Sequence, residues 1–133
     1  MIPPFNESGF LPPGVHRAAL AEVEERFGRG SEIRRVQMDS VRWMAELAKR
    51  AGVERIILNG SFVTDIMEPN DVDCVLLVPE GFPMEPTSEM ELRRGLPFLE
   101  ILLVEREDFD ELVDVTFASD RFGASKGMIE LIA

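Results

Sequence analysis

Asp71 and Asp73 stand two positions apart at the head of an apolar run, Val72 and then Cys74 to Val78. On a strand, residues so spaced project from one face. Two bare carboxylates ~4 Å apart repel by roughly 4 kcal/mol at an effective dielectric of ~20. Such a pair is costly in apolar surroundings unless a cation joins it, and a divalent metal reverses the sign of the interaction. Nine residues upstream lies Gly60-Ser61, itself preceded by Ile56-Ile57-Leu58. Glycine permits close backbone approach, and a helix opened by Ser61 would present free amides to phosphate oxygens. Metal-assisted phosphoryl or nucleotidyl transfer needs these parts.

The elements that must position them follow from the hydrophobic pattern. Residues 1–15 form an extended Pro-rich arm holding four of the nine prolines, with Phe5, Phe10 and Leu11 to pack on its own domain or a second subunit. The remainder, 16–133, reads as a single domain. Helix is expected at about 16–27, then at about 32–51, capped by Ser31 and stopped by Gly52. Ile33, Val36, Val41, Met44, Leu47 and Ala51 supply the second helix's stripe. Strands are expected at about 54–59, 71–78 and 98–104, with a short helix at 88–94. A helix at about 107–117, burying Phe109, Leu112, Val113 and Phe117, and a terminal strand at 127–132 complete the chain. The predicted fold class is α/β (α+β): one mixed sheet of about four strands with helices packed on it.

The string Gly60-Ser61-Phe62-Val63-Thr64, then Glu68-Pro69-Asn70-Asp71-Val72-Asp73, resembles the nucleotidyltransferase superfamily with the DNA polymerase β-like catalytic core. It is most similar to the small bacterial members, some linked to toxin–antitoxin systems. The motif covers residues 56–78, and the element order extends the likeness over 33–105. The resemblance implies that Asp71 and Asp73 bind Mg2+ or Mn2+, and that Gly60 and Ser61 hold a nucleoside triphosphate. It also implies a third carboxylate from an adjacent strand, where Glu100 is the acidic residue available. By alternation Glu100 faces the same side as Phe98 and Leu102, and its burial there would need an explanation such as a metal. The implied activity moves a nucleotide to a hydroxyl on a protein, RNA or small molecule. The alternative is a weak or inactive nucleotidyltransferase-like antitoxin that binds a basic protein partner or toxin.

The chain departs from the family pattern in three places. Asn59 stands where a hydrophobe is usual. Val63 to Ile66 hold no cation for the phosphates, leaving Lys126 as a substitute if the last strand returns to the site; otherwise that lysine is simply solvated. No further domain is present in these residues to hold an acceptor. Ordinary structural readings stand beside the chemical ones. Asn70-Asp71 also suits a turn end, Asp73 a pair with Arg55, and Glu100 an exposed or salt-bridged edge position.

A length of 133 residues suits one domain. The net charge of −11 argues against extended nucleic-acid binding and favours a metal-bound nucleotide or a basic partner. Arg34, Arg35 and Arg42, or Arg93 and Arg94, are the basic clusters that remain. No apolar run is long enough to span a membrane and the start lacks signal-peptide features, so a cytoplasmic protein is expected. The single cysteine, Cys74, faces opposite the aspartates and reads as a core hydrophobe. His16 reads as a helix-start capping or packing residue, and Trp43 as packed beside the helix stripe.

Overall fold

A computed structural model describes residues 1–116 and 126–132. Five strands, β1 (Gly14–Ala19), β2 (Arg55–Asn59), β3 (Val72–Leu77), β4 (Leu99–Val104) and β5 (Gly127–Ile132), form one mixed sheet in the order β1-β5-β2-β3-β4. β2 runs antiparallel to both β3 and β5, whereas β1–β5 and β3–β4 are parallel. Helices α1 (Leu20–Phe27), α2 (Glu32–Ala51), α3 (Pro86–Arg94) and α4 (Arg106–Glu111) join them, the last continuing as a π-helical segment over Leu112–Thr116.

The sheet separates two cores. On one face Ala18, Leu58, Val72, Cys74, Leu76 and Ile129 meet Val23 and Phe27 of α1, Val41, Met44 and Leu47 of α2, and Leu92 of α3. On the other, Ile57, Val75, Leu77 and Met128 pack under Phe109 and Val113. Asp73 shares this second face by alternation with Val75 and Leu77.

Three expectations need correction. The sheet has five strands, not about four, because residues 14–19 form β1 where helix was expected from 16. Ala18-Ala19 favours helix locally, but pairing with β5 from Gly14↔Gly127 to Ala19↔Ile132 overrides that preference. His16 therefore lies on a strand, its Nε2 2.7 Å from the Pro12 carbonyl oxygen. Trp43 is half exposed, since α2 buries Arg34, Gln37, Met38, Val41, Met44 and Ala48 instead. Phe117, expected on the buried face of the last helix, and the loop expected over 120–125 lie outside the described residues.

The arm packs on its own domain. Leu11 is fully buried, and Phe5 stacks 6.0 Å from Phe27 under the Arg26 guanidinium. Gly127 donates to the Leu11 carbonyl at 3.0 Å, while Asp65 donates its N–H to Gly9 at 3.1 Å. Thus the arm ties β5 to the turn that follows β2.

That turn is held from the opposite side by Arg34, which belongs to no exposed basic patch and is only 6% exposed. Its guanidinium donates to the carbonyls of Phe27 (3.0 Å), Phe62 (2.8 Å), Thr64 (2.8 Å) and Ile66 (3.1 Å). Gln37 donates from Nε2 to Pro69 at 3.1 Å and Asn70 at 2.6 Å. Carbonyls of an irregular loop cannot pair with one another, so a buried fork of donors must satisfy them. Replacing Arg34 by Met leaves four carbonyls orphaned. Urea denaturation of Arg34→Met should show a loss of roughly 3 kcal/mol or more, with a lowered midpoint. A change inside ~0.5 kcal/mol would show the clamp to be dispensable.

Candidate functional site

The register of three strands assembles the site. Asn59 on β2 pairs opposite Asp73 on β3, and Asp73 in turn pairs with Glu100 on β4. Neighbouring strands lie about 4.8 Å apart, so Asp73 and Glu100 project side by side from one face. Asp71 precedes β3 and follows the loop held by Gln37. Asp71, Asp73 and Glu100 line one cavity of about 540 Å³ together with Ser61 and Asn70.

Local geometry explains the residue types. β2 ends at Asn59, and the next residue, Gly60, has a φ of 84°, in the left-handed region. A Cβ there would lie 2.6 Å from Asp73 Oδ2, so any side chain at 60 would displace the carboxylate. Ser61 then opens a single 3₁₀ turn, Ser61–Val63, and its Oγ accepts the Asn70 N–H at 2.9 Å. The loop is closed directly onto the aspartates. Thr64 adds a bond from Oγ1 to the Ser61 carbonyl at 2.6 Å.

The electrostatics are those of crowded acids. Partial burial pushes the Asp73 carboxyl up to about 6, reinforced by its hydrogen bond to Glu100 and by the charges of Glu100 and Asp71. The Lys126 ammonium acts in the other direction, pulling Asp73 down. Among the described residues, none of the three carboxylates stands within salt-bridge distance of a lysine or arginine.

The alternative partner for Asp73 is excluded by position. Arg55 begins β2 at the far end of the strand and grips Glu130 through two bonds, of 3.1 and 2.6 Å, with its guanidinium over Phe109. Glu100 is exposed, not buried, because β4 is the outermost strand, so burial gives no reason for a metal there; it shares the face of Asp73 and Leu102, as alternation predicts. Cys74 is buried on the opposite face, and burial pushes its thiol up, as suits a packing role. The arginine clusters are dispersed: Arg42 pairs with Glu24, and Arg93 with Glu89 at 3.0 Å.

Asn70 is a lining residue that the motif reading treated only as part of a turn. Asn59, a departure from the family pattern, is 1% exposed beside Asp73, and its Oδ1 has no hydrogen-bond partner among the described residues. Arg34 and Gln37 were also missed as the supports of the site loop. Their signal was a polar pair at positions 34 and 37, in phase with Val41, Met44 and Ala48 on one helix face. The donor set is all oxygen, which suits magnesium or manganese rather than a soft metal. Among the described residues no three His, Cys, Asp or Glu side chains already stand in a ligating cluster.

An acid whose folded pKa is raised holds its proton more tightly in the folded state. With Asp73 at about 6 against an ordinary 3.8, its contribution to stability is fullest below the lower value and falls as pH rises through the higher. Asp73→Asn should therefore stabilise the metal-free protein at neutral pH by about 1 kcal/mol, after discounting for its partial exposure. The gain should vanish near the unperturbed value. Thermal melts of both proteins across that range check it. A substitution that destabilises at neutral pH would show that the carboxylate is already compensated.

No described helix is long and apolar enough to cross a membrane. Neither a curated protein nor a solved structure matches the chain. A family of unknown function, DUF6932, matches residues 3–132, and the chain belongs to that family.

Proposed function

We propose that this protein is a metal-dependent nucleotidyltransferase, of the DNA polymerase β-like type, that moves a nucleotide from a nucleoside triphosphate to a hydroxyl acceptor. The observation that carries the reading is the convergence of Asp71, Asp73 and Glu100 on one cavity beside the Gly60-Ser61 turn. Burial first, and then the neighbouring Glu100 and Asp71, raise the Asp73 carboxyl, and a bound cation would offset both effects.

Asp71, Asp73 and Glu100 are the residues that would hold Mg2+ or Mn2+. When bound, the ion neutralises phosphate charge and activates the attacking oxygen. The chain's own groups supply the rest. Ser61, which lines the cavity, and the backbone of its turn would orient a phosphate, and Lys126, whose charge lowers the Asp73 carboxyl, would balance triphosphate charge. The acceptor oxygen bonds to the α-phosphorus as the bond from that phosphorus to the β-bridging oxygen breaks and pyrophosphate leaves. One of the three carboxylates accepts the hydroxyl proton.

A thermal-shift series with each of the four nucleoside triphosphates, in Mg2+ or Mn2+, tests the proposal. A triphosphate at ~100 times its Kd contributes about 2.7 kcal/mol, a rise of roughly 10 °C for a chain this size. The rise should require metal and disappear in Asp73→Asn. No shift with any triphosphate in either metal would contradict the proposal.

A further inference from the structure

The two edges of the sheet differ. The β1 edge is covered by the amino-terminal arm, where the Met1 ammonium donates to the Arg17 carbonyl at 3.1 Å. Among the described residues, none pairs with the β4 edge. Val72 donates to Phe98 and Val78 to Val104, which turns the backbone groups of even-numbered residues toward β3. Those of Ile101 and Leu103 therefore point away from the sheet. Among the described residues they have no hydrogen-bond partner.

The side chains along this edge are unusual for an unguarded strand. Natural edges are blunted by lysine, proline or a bulge. This one displays Leu102 at 46% exposure, with Phe98 at 41% just before the strand. Acidic groups flank it at both ends: Glu100 and the aspartates at the cavity, then exposed Glu105, Glu107 and Asp108 beyond Val104. A second depression, lined by Asp73, Cys74, Val75, Glu100, Ile101 and Leu102, runs from the acidic cavity to Leu102.

We propose that the β4 edge is a docking site for an extended, basic polypeptide segment, which adds to the sheet as a sixth strand and lays an apolar side chain against Leu102. Backbone bonds to Ile101 and Leu103 would supply affinity, and alternate side chains the specificity. Lysine or arginine on the incoming strand would meet Glu100 at one end and Glu105 at the other. A nucleic-acid strand, carrying phosphate charge, would be repelled by the same groups. Because β4 begins at the acidic cavity, the docked segment is also positioned to present a serine, threonine or tyrosine hydroxyl there. That last role rests on the nucleotidyltransferase reading; the docking itself does not.

Fluorescence anisotropy with a labelled peptide alternating lysine and valine about a central tyrosine tests the site. Controls are the same peptide with glutamate for lysine, and a single-stranded oligonucleotide of equal length. The lysine peptide should bind at least about tenfold more tightly than either control. It should shift the backbone amide resonances of Ile101 and Leu103 and slow their hydrogen exchange. Leu102→Lys, at an exposed position, should keep the melting temperature yet weaken binding about tenfold or more. No binding up to roughly 1 mM, equal binding of the oligonucleotide, or shifts confined to other residues would overturn the proposal. Peptide binding without nucleotide transfer would sustain the docking site and count against the enzymatic reading. Triphosphate stabilisation without peptide binding would do the reverse.

Discussion

The alignment of β2, β3 and β4 is the constraint on which the rest of the molecule depends. Asp73 is locked between Asn59 and Glu100 by two ladders, one antiparallel and one parallel. A slip of one residue in either would turn the carboxylate to the helix-covered face and bury it among Leu58, Cys74 and Leu76. The apolar residues on both sheet faces therefore hold the acids in place. Ile57, Val75 and Leu77 go under Phe109 and Val113, so Asp73 and Glu100 must point along the same side.

Holding like charges together costs stability, and the structure concentrates its compensation nearby. Arg34 and Gln37 convert the loop between Gly60 and Asp71 into a rigid connection by satisfying its carbonyls from within the core. The arm braces the same loop from outside through Phe10↔Thr64. Gly60 removes the one side chain that would push Asp73 away. Arg34, Gln37 and the arm need not touch a ligand to do this. Together they fix where the acids stand, which is the condition for a preformed ion site. Among the described residues, helices cover one face and α4 part of the other, and the acidic end of the sheet lines a cavity.

Much of this was legible because the relevant signals are local. Ile56-Ile57-Leu58, Cys74 to Leu77 and Ile101 to Val104 are apolar runs, and each lies in a strand. Ser31 and Gly52 marked the ends of α2, where Ser31 Oγ accepts from Arg34 N–H and Gly52 adopts a φ of 91°. The reading missed what depends on distant pairing. Residues 14–19 became β1 only because β5 lies beside them. Glu100 is exposed because β4 is the outermost strand, a fact of sheet order that no short stretch encodes. Arg34 looked like a surface charge since a long basic side chain usually is one, and its burial makes sense only once the loop carbonyls fold over it. Spacing placed Asp71 on the strand with Asp73, whereas Asp71 precedes β3 and meets Asp73 only in lining the same cavity.

Titration with Mn2+, followed by paramagnetic broadening of the backbone amide resonances, tests the central claim most directly. If the three acidic side chains form a cation site, Asp71, Asp73 and Glu100 should broaden first, below one equivalent, and Asp73→Asn should abolish the effect. Broadening spread evenly over the acidic surface, with Glu105 to Asp110 affected as early as Asp73, would contradict the account.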